Sequence, residues 1–144
     1  MFSKTCEYAI RAAVYIATQT LDDRRVSLID TAKQIGSPEA FTAKILQALV
    51  RNNIVNSMKG PSGGFGIERS KLSKIKLSQI VYAIDGDSIY KGCGLGLPEC
   101  SEKEPCPVHE KFKVIRNQLK TMLETTSLYE LAMGLEKGLT VLKR

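Results

Sequence analysis

The chain has 144 residues, 43% of them hydrophobic and 25% charged, enough to bury one ordinary core and too apolar for a disordered polyelectrolyte. Its formal net charge is +6, from 21 basic and 15 acidic residues, and no stretch approaches the roughly 20 apolar residues of a membrane span. Twelve of the basic but only six of the acidic residues fall within Met1–Lys76, so the excess sits in the first half, as on a surface that faces phosphate. Charge alone leaves a merely solvated basic face equally open.

Lys4, Glu7 and Arg11 punctuate the N-terminal apolar pattern, which argues against a signal peptide and for a cytoplasmic protein. Thiols stay reduced there, so the four cysteines point to metal or redox chemistry before structural disulfides.

Ser3–Gln19 reads as a helix, with Ala9, Ile10, Ala13, Val14, Ile16 and Ala17 apolar. Ser27 caps a short helix, Leu28–Ile35, which Gly36 closes. Ser37 is expected to cap the next helix, with Pro38 in its first position. Phe41, Ile45, Leu46 and Leu49 form the buried face of that helix, while Ala40, Ala43, Lys44, Gln47 and Arg51 fall on the other side. Two short helices about a tight turn make a helix-turn-helix, a pattern that plain helical packing also produces.

The following residues decide between the two. Ile54–Met58 favours strand, Lys59-Gly-Pro-Ser-Gly-Gly64 is a turn, and Phe65, Ile67 and Arg69 alternate as strand residues do. A hairpin directly behind a helix-turn-helix is a wing, with Lys59 and Arg69 expected to flank its tip. The fold class is therefore mainly α with a small β-hairpin: a winged helix-turn-helix domain over residues 1–86, plus a long C-terminal dimerisation helix. Leu77–Ile84 is a helix stopped by Asp85-Gly86.

Residues 87–107 read as a cysteine-rich loop without structure of its own, which is usually functional. Residues 108–126 form the long helix, whose Val108, Phe112, Ile115, Leu119 and Met122 are spaced 4, 3, 4, 3 as in a coiled-coil seam. That seam predicts a two-fold dimer; packing against its own domain is the alternative. Residues 127–144 hold a last amphipathic helix, Ser127–Lys143, with Leu128, Leu131 and Leu135 on one face.

Cys93, Cys100 and Cys106 sit in the Gly/Pro-rich loop, and His109, the only histidine, follows. Three soft sulfurs suit zinc or an iron–sulfur cluster. Structural zinc sites use closer cysteine pairs, so the wide spacing favours the cluster, with zinc and bare redox thiols as alternatives. Cys106 as a nucleophile with His109 as base would make an enzyme, but no orienting partner for the histidine is evident. A protein-interaction module using the winged fold without DNA is a further alternative. Cys6 reads as a small buried residue of the first helix.

Thr5-Cys-Glu-Tyr-Ala-Ile-Arg11, Phe41-Thr-Ala-Lys-Ile-Leu46 and Ser57-Met-Lys-Gly-Pro-Ser-Gly-Gly-Phe65, together with the cysteine loop, resemble the IscR-like iron–sulfur-cluster regulators, of which the nitric-oxide sensor NsrR is a relative. The gap between Cys93 and Cys100 is one residue longer here than in that pattern. The resemblance implies a homodimeric repressor of double-stranded DNA whose operator affinity follows an iron–sulfur cluster, 2Fe–2S in preference to 4Fe–4S. It implies Cys93, Cys100 and Cys106 as ligands. His109 is the preferred fourth, and Glu7, where NsrR-like relatives offer a carboxylate, the alternative. On the DNA side, Lys44 and Gln47 would lie nearest the bases or phosphates. Glu39 would complement the helix dipole or accept from a cytosine. Arg51, Lys59 and Arg69 would meet phosphates, and Gly63 and Gly64 would let the wing approach the duplex.

Overall fold

The computed structural model describes residues 1–143; Arg144, the end of the C-terminal segment, lies outside them. Ser3 is extended and its hydroxyl accepts from the Cys6 amide, capping α1 (Lys4–Leu21). Ala9, Ala12, Ala13 and Ala17 of α1 are fully buried beside Ile16. Such small side chains admit close neighbours, and α2, α3, α4, α7 and the second wing strand all pack on α1.

Ser27 accepts from the Asp30 amide at 3.0 Å to cap α2 (Leu28–Ile35), and Gly36, at φ +66°, ends it, as the sequence predicts. The start of α3 (Glu39–Arg51) needs a correction. Pro38 is the cap residue, not the first helical one: its ψ is 144° while its carbonyl already accepts from the Thr42 amide. Ser37 provides no cap. Thr42, whose hydroxyl also donates to the Pro38 carbonyl at 3.0 Å, is buried with Ile45, Leu46 and Leu49. Phe41 is half-buried, edge-on to Tyr8.

The wing pairs β1 (Asn56–Met58) antiparallel with β2 (Gly64–Gly66), Ser57 facing Phe65. Val26 adds a further rung, exchanging two backbone hydrogen bonds with Phe65. The strand expected to run through Arg69 stops at Gly66. Ile67 turns into the core, and Arg69 opens a 3-10 turn, Arg69–Lys71.

After α4 (Leu77–Asp85), Gly86 reverses the chain. The segment expected to lack structure begins with a one-turn helix, α5 (Ser88–Lys91), which packs on α6 (His109–Thr125). Ser127 caps α7 (Leu128–Glu136), accepting from Glu130 at 3.1 Å. This helix ends well before Lys143. Leu128 and Ala132 are fully buried, and α7 lies on α1. The Leu77 amide donates to the Thr126 carbonyl and the Leu128 amide to that of Ile75, tying the end of α6 to the start of α4. Leu123 anchors α6 in the core, whereas much of the rest of α6 stands off it. Among the described residues no helix is long and apolar enough to cross a membrane.

Candidate functional site

Two regions carry the predicted site residues. On α3, Glu39, Lys44, Gln47 and Arg51 are all exposed on the face away from Ile45, Leu46 and Leu49. Lys59 is exposed at the entrance to the wing turn. Arg69 does not flank that tip. It lies beyond the far end of β2, near Asp23 (3.5 Å) and the Leu21 carbonyl (3.4 Å), because the strand stops three residues earlier than expected. The wing glycines approach the protein's own backbone. A Cβ on Gly63 would fall 2.2 Å from the Met58 carbonyl oxygen, and one on Gly64, at φ +96°, would fall 2.4 Å from that of Val26. Sequence reasoning missed Arg25, whose guanidinium donates to the Gly64 and Asn56 carbonyls at 2.9 and 3.2 Å and so braces both strands. Gly66 makes room for it, since a Cβ there would meet the guanidinium at 2.6 Å.

The cysteine loop folds back on the first turns of α6. Cys93, Cys100 and Cys106 are half-buried free thiols. They do not form one convergent set: among the described residues no three His, Cys, Asp or Glu side chains meet at a single metal-sized point. Cys100 Sγ lies 3.4 Å from His109 Nδ1. Cys93 Sγ accepts from the Leu95 amide at 3.4 Å, and its thiol is held below the ordinary range, first by that amide, then by the Leu97 amide, with a lesser part from Cys106. Amide donors favour a sulfur anion. Gly94 permits the loop's close approach, for a Cβ there would sit 2.4 Å from the Phe112 ring.

His109, the first residue of α6, is 4% exposed. Its Nε2 is buried without a hydrogen-bond partner; the Glu110 carboxylate, 3.9 Å away, is too distant for one. An orphaned imidazole nitrogen in a dry place is costly, and coordination is one way to satisfy it. Three free thiols and this nitrogen, on one loop and the helix start that follows it, are as a donor set suited to zinc or to an iron–sulfur group. Glu7, the alternative ligand, pairs with Lys4 at 3.1 Å at the start of α1. Arg11, one turn on, lies over the Tyr8 ring at 4.5 Å from its centroid.

The predicted seam on α6 divides. Phe112 packs on the loop and Leu119 on the core, both inward. Val108 is the half-buried cap residue. Ile115 and Met122 are exposed at 56% and 44%, and Val114, not part of the predicted seam, is exposed at 56% beside them. The spacing 4, 3, 4, 3 had mixed residues of two faces: the core-facing stripe runs through Phe112, Leu119 and Leu123, and the free stripe through Val114, Ile115 and Met122.

Comparison with known proteins places the fold. Residues 2–134 match the family model of Rrf2, described as iron-dependent transcriptional regulators. The chain belongs to the Rrf2 family. A protein of Aquifex aeolicus (strain VF5), ascribed to the HTH-type transcriptional regulators, is 32% identical over 146 residues, spanning 100% of this chain and 99% of the relative. The HTH-type transcriptional regulator IscR of Photorhabdus laumondii is 24% identical over 90% of this chain and 77% of its own. Among solved structures, CymR, the global cysteine regulator of B. subtilis, superposes with a TM-score of 0.75 at 22% identity, over 92% of this chain and 96% of its own. IscR of T. potens does so with 0.75 at 17% identity, over 99% and 93%. The winged fold is thus that of Rrf2 regulators, and the chain is a DNA-binding transcription regulator, not an enzyme. The nucleophile-and-base alternative also lacks its geometry, since the His109 ring faces Cys100 and not Cys106.

Proposed function

We propose that this Rrf2 regulator is a repressor that binds its operator as a two-fold homodimer, with an affinity set by a 2Fe–2S cluster on Cys93, Cys100, Cys106 and His109. The observation that carries this reading is the pairing of Cys100 with His109, whose other ring nitrogen is buried and unsatisfied, on the loop that also holds the free thiols of Cys93 and Cys106. The family description as iron-dependent and the similarity to IscR regulators point the same way. When bound, such a cluster supplies a redox-active, labile centre; a neutral imidazole among its ligands raises its potential relative to four thiolates. This chain's own contribution is mechanical. His109 opens α6, so what His109 binds bears directly on the helix that presents the dimer face.

That face is the exposed stripe of Val114, Ile115 and Met122, and the occupant is a second copy of this chain. A helix-turn-helix reads two half-sites about one helical turn apart when its dimer is two-fold. In such an arrangement the N-terminal turns of α3 enter the major groove with Lys44 and Gln47, Glu39 complements the helix dipole, and Arg51 and Lys59 meet phosphates.

Anaerobic purification with visible absorption, iron and acid-labile sulfide analysis tests the cluster. Coloured protein is expected, with each of Cys93→Ser, Cys100→Ser and Cys106→Ser bleached. His109→Ala should lose colour faster than Glu7→Ala; the reverse order would make Glu7 the ligand. A second reading, a thiol switch or zinc site on the same loop, draws on the lowered Cys93 thiol beside Cys106 and on the likeness in fold to S. aureus CymR, solved in an oxidized form. Colourless protein carrying zinc or a Cys93–Cys106 disulfide would favour it.

A further inference from the structure

We infer that Arg116 is a positioning residue of the cysteine site: its guanidinium holds Cys100 beside His109 and donates an N–H···S bond that raises the reduction potential of the group bound there. The second half rests on the cluster reading above; the first does not. Arg116 lies two turns into α6, where Nη2 donates to Cys100 Sγ at 3.0 Å and Nη1 to the Gly92 carbonyl at 2.8 Å. Gly92 immediately precedes Cys93. One rigid fork therefore fixes the loop at the first and second cysteines at once, across 24 and 16 residues of chain.

Two features make this more than a tether. The loop already has an anchor in the packing of Gly94 on Phe112, and a tether would need only the Gly92 carbonyl. Moreover, of the two acids that line the same cleft, Glu102 is paired with Lys113 and Glu99 makes no ion pair with Arg116, which leaves the Arg116 charge directed at sulfur. Hydrogen bonds and positive charge at a ligand sulfur stabilise the more negative, reduced state of an iron–sulfur group and so raise its potential. A lysine would supply the charge from a flexible stem without the two-pronged geometry.

The test uses the full-length, anaerobically purified dimer in three forms: wild type, Arg116→Lys and Arg116→Met. Redox titration followed by EPR should place Arg116→Met below wild type and Arg116→Lys between them, at equal iron and sulfide per chain. A Met variant with wild-type potential overturns the electronic role. Hydrogen exchange by mass spectrometry on cluster-free protein decides the positioning role separately. Residues 92–100 should exchange faster in Arg116→Met, with α1–α4 unchanged. Unaltered exchange there overturns it, even if the variant holds no cluster. A wild type without iron and sulfide would sink the cluster reading and the potential argument with it, and leave the exchange result to judge Arg116.

Discussion

Cys6 and Cys93 show how far surroundings divide one residue type. Cys6 is fully buried in α1, and burial, reinforced by the nearby Asp85 carboxylate, pushes its thiol up from 9.0 to about 12. The folded state therefore keeps a proton that the unfolded chain loses above about pH 9. Its contribution to stability is complete below pH 9 and is lost as pH rises towards 12. Cys6→Ala should flatten the alkaline fall of the denaturation midpoint over that window; an identical fall would remove Cys6 as its source. Cys93 should alkylate fastest in cluster-free protein near neutral pH and Cys6 slowest, as read by peptide mass spectrometry. The burial of Cys6 was legible in its helical spacing among alanines. The roles of Arg25 and Arg116 were not, because both act on backbone carbonyls or sulfur far away in sequence, and no local pattern marks such a partner.

The wing and α6 divide in the same way. Gly-rich composition betrayed the hairpin, yet the reason for Gly64 lies in the added rung at Val26, which pairing alone reveals. Gly64→Ala should destabilise the fold by roughly 1–3 kcal/mol through positive φ and the clash with the Val26 carbonyl, visible as a lowered melting temperature together with weaker DNA binding. Unchanged melting would mean that the rung is dispensable. On α6 the apolar periodicity was legible, but a seam shared between the core and a partner has the same period, so sequence could not assign its faces. Met122→Glu should yield folded monomers by light scattering with an unchanged circular dichroism spectrum, whereas Leu119→Glu, directed at the core, should lower the melting temperature. A Met122→Glu dimer would dismiss the exposed stripe as the interface. Pro38 misled for a local reason: its φ of −57° suits both the cap and the first turn, and only ψ separates them.

At the scale of the molecule, the uneven charge read from sequence coincides with the half that holds α3 and the wing. The near-neutral half holds the cysteine loop and α6. In the proposed function, binding and sensing are thus segregated along the chain, and α6, rooted by Leu123 against α4 and headed by His109, joins them. Lys59, exposed at the wing, should serve phosphate and not sequence. Lys59→Ala should weaken binding to all duplexes alike and reduce the slope of log affinity against log salt by about one; an unaltered slope would take Lys59 off the interface. Native mass spectrometry of the anaerobically purified protein bears most directly on a dimer that carries one 2Fe–2S cluster on each chain. The expected mass is that of two chains plus two such clusters, falling by one cluster per chain in Cys100→Ser. Two chains without iron and sulfide, or with one zinc ion apiece, would contradict it.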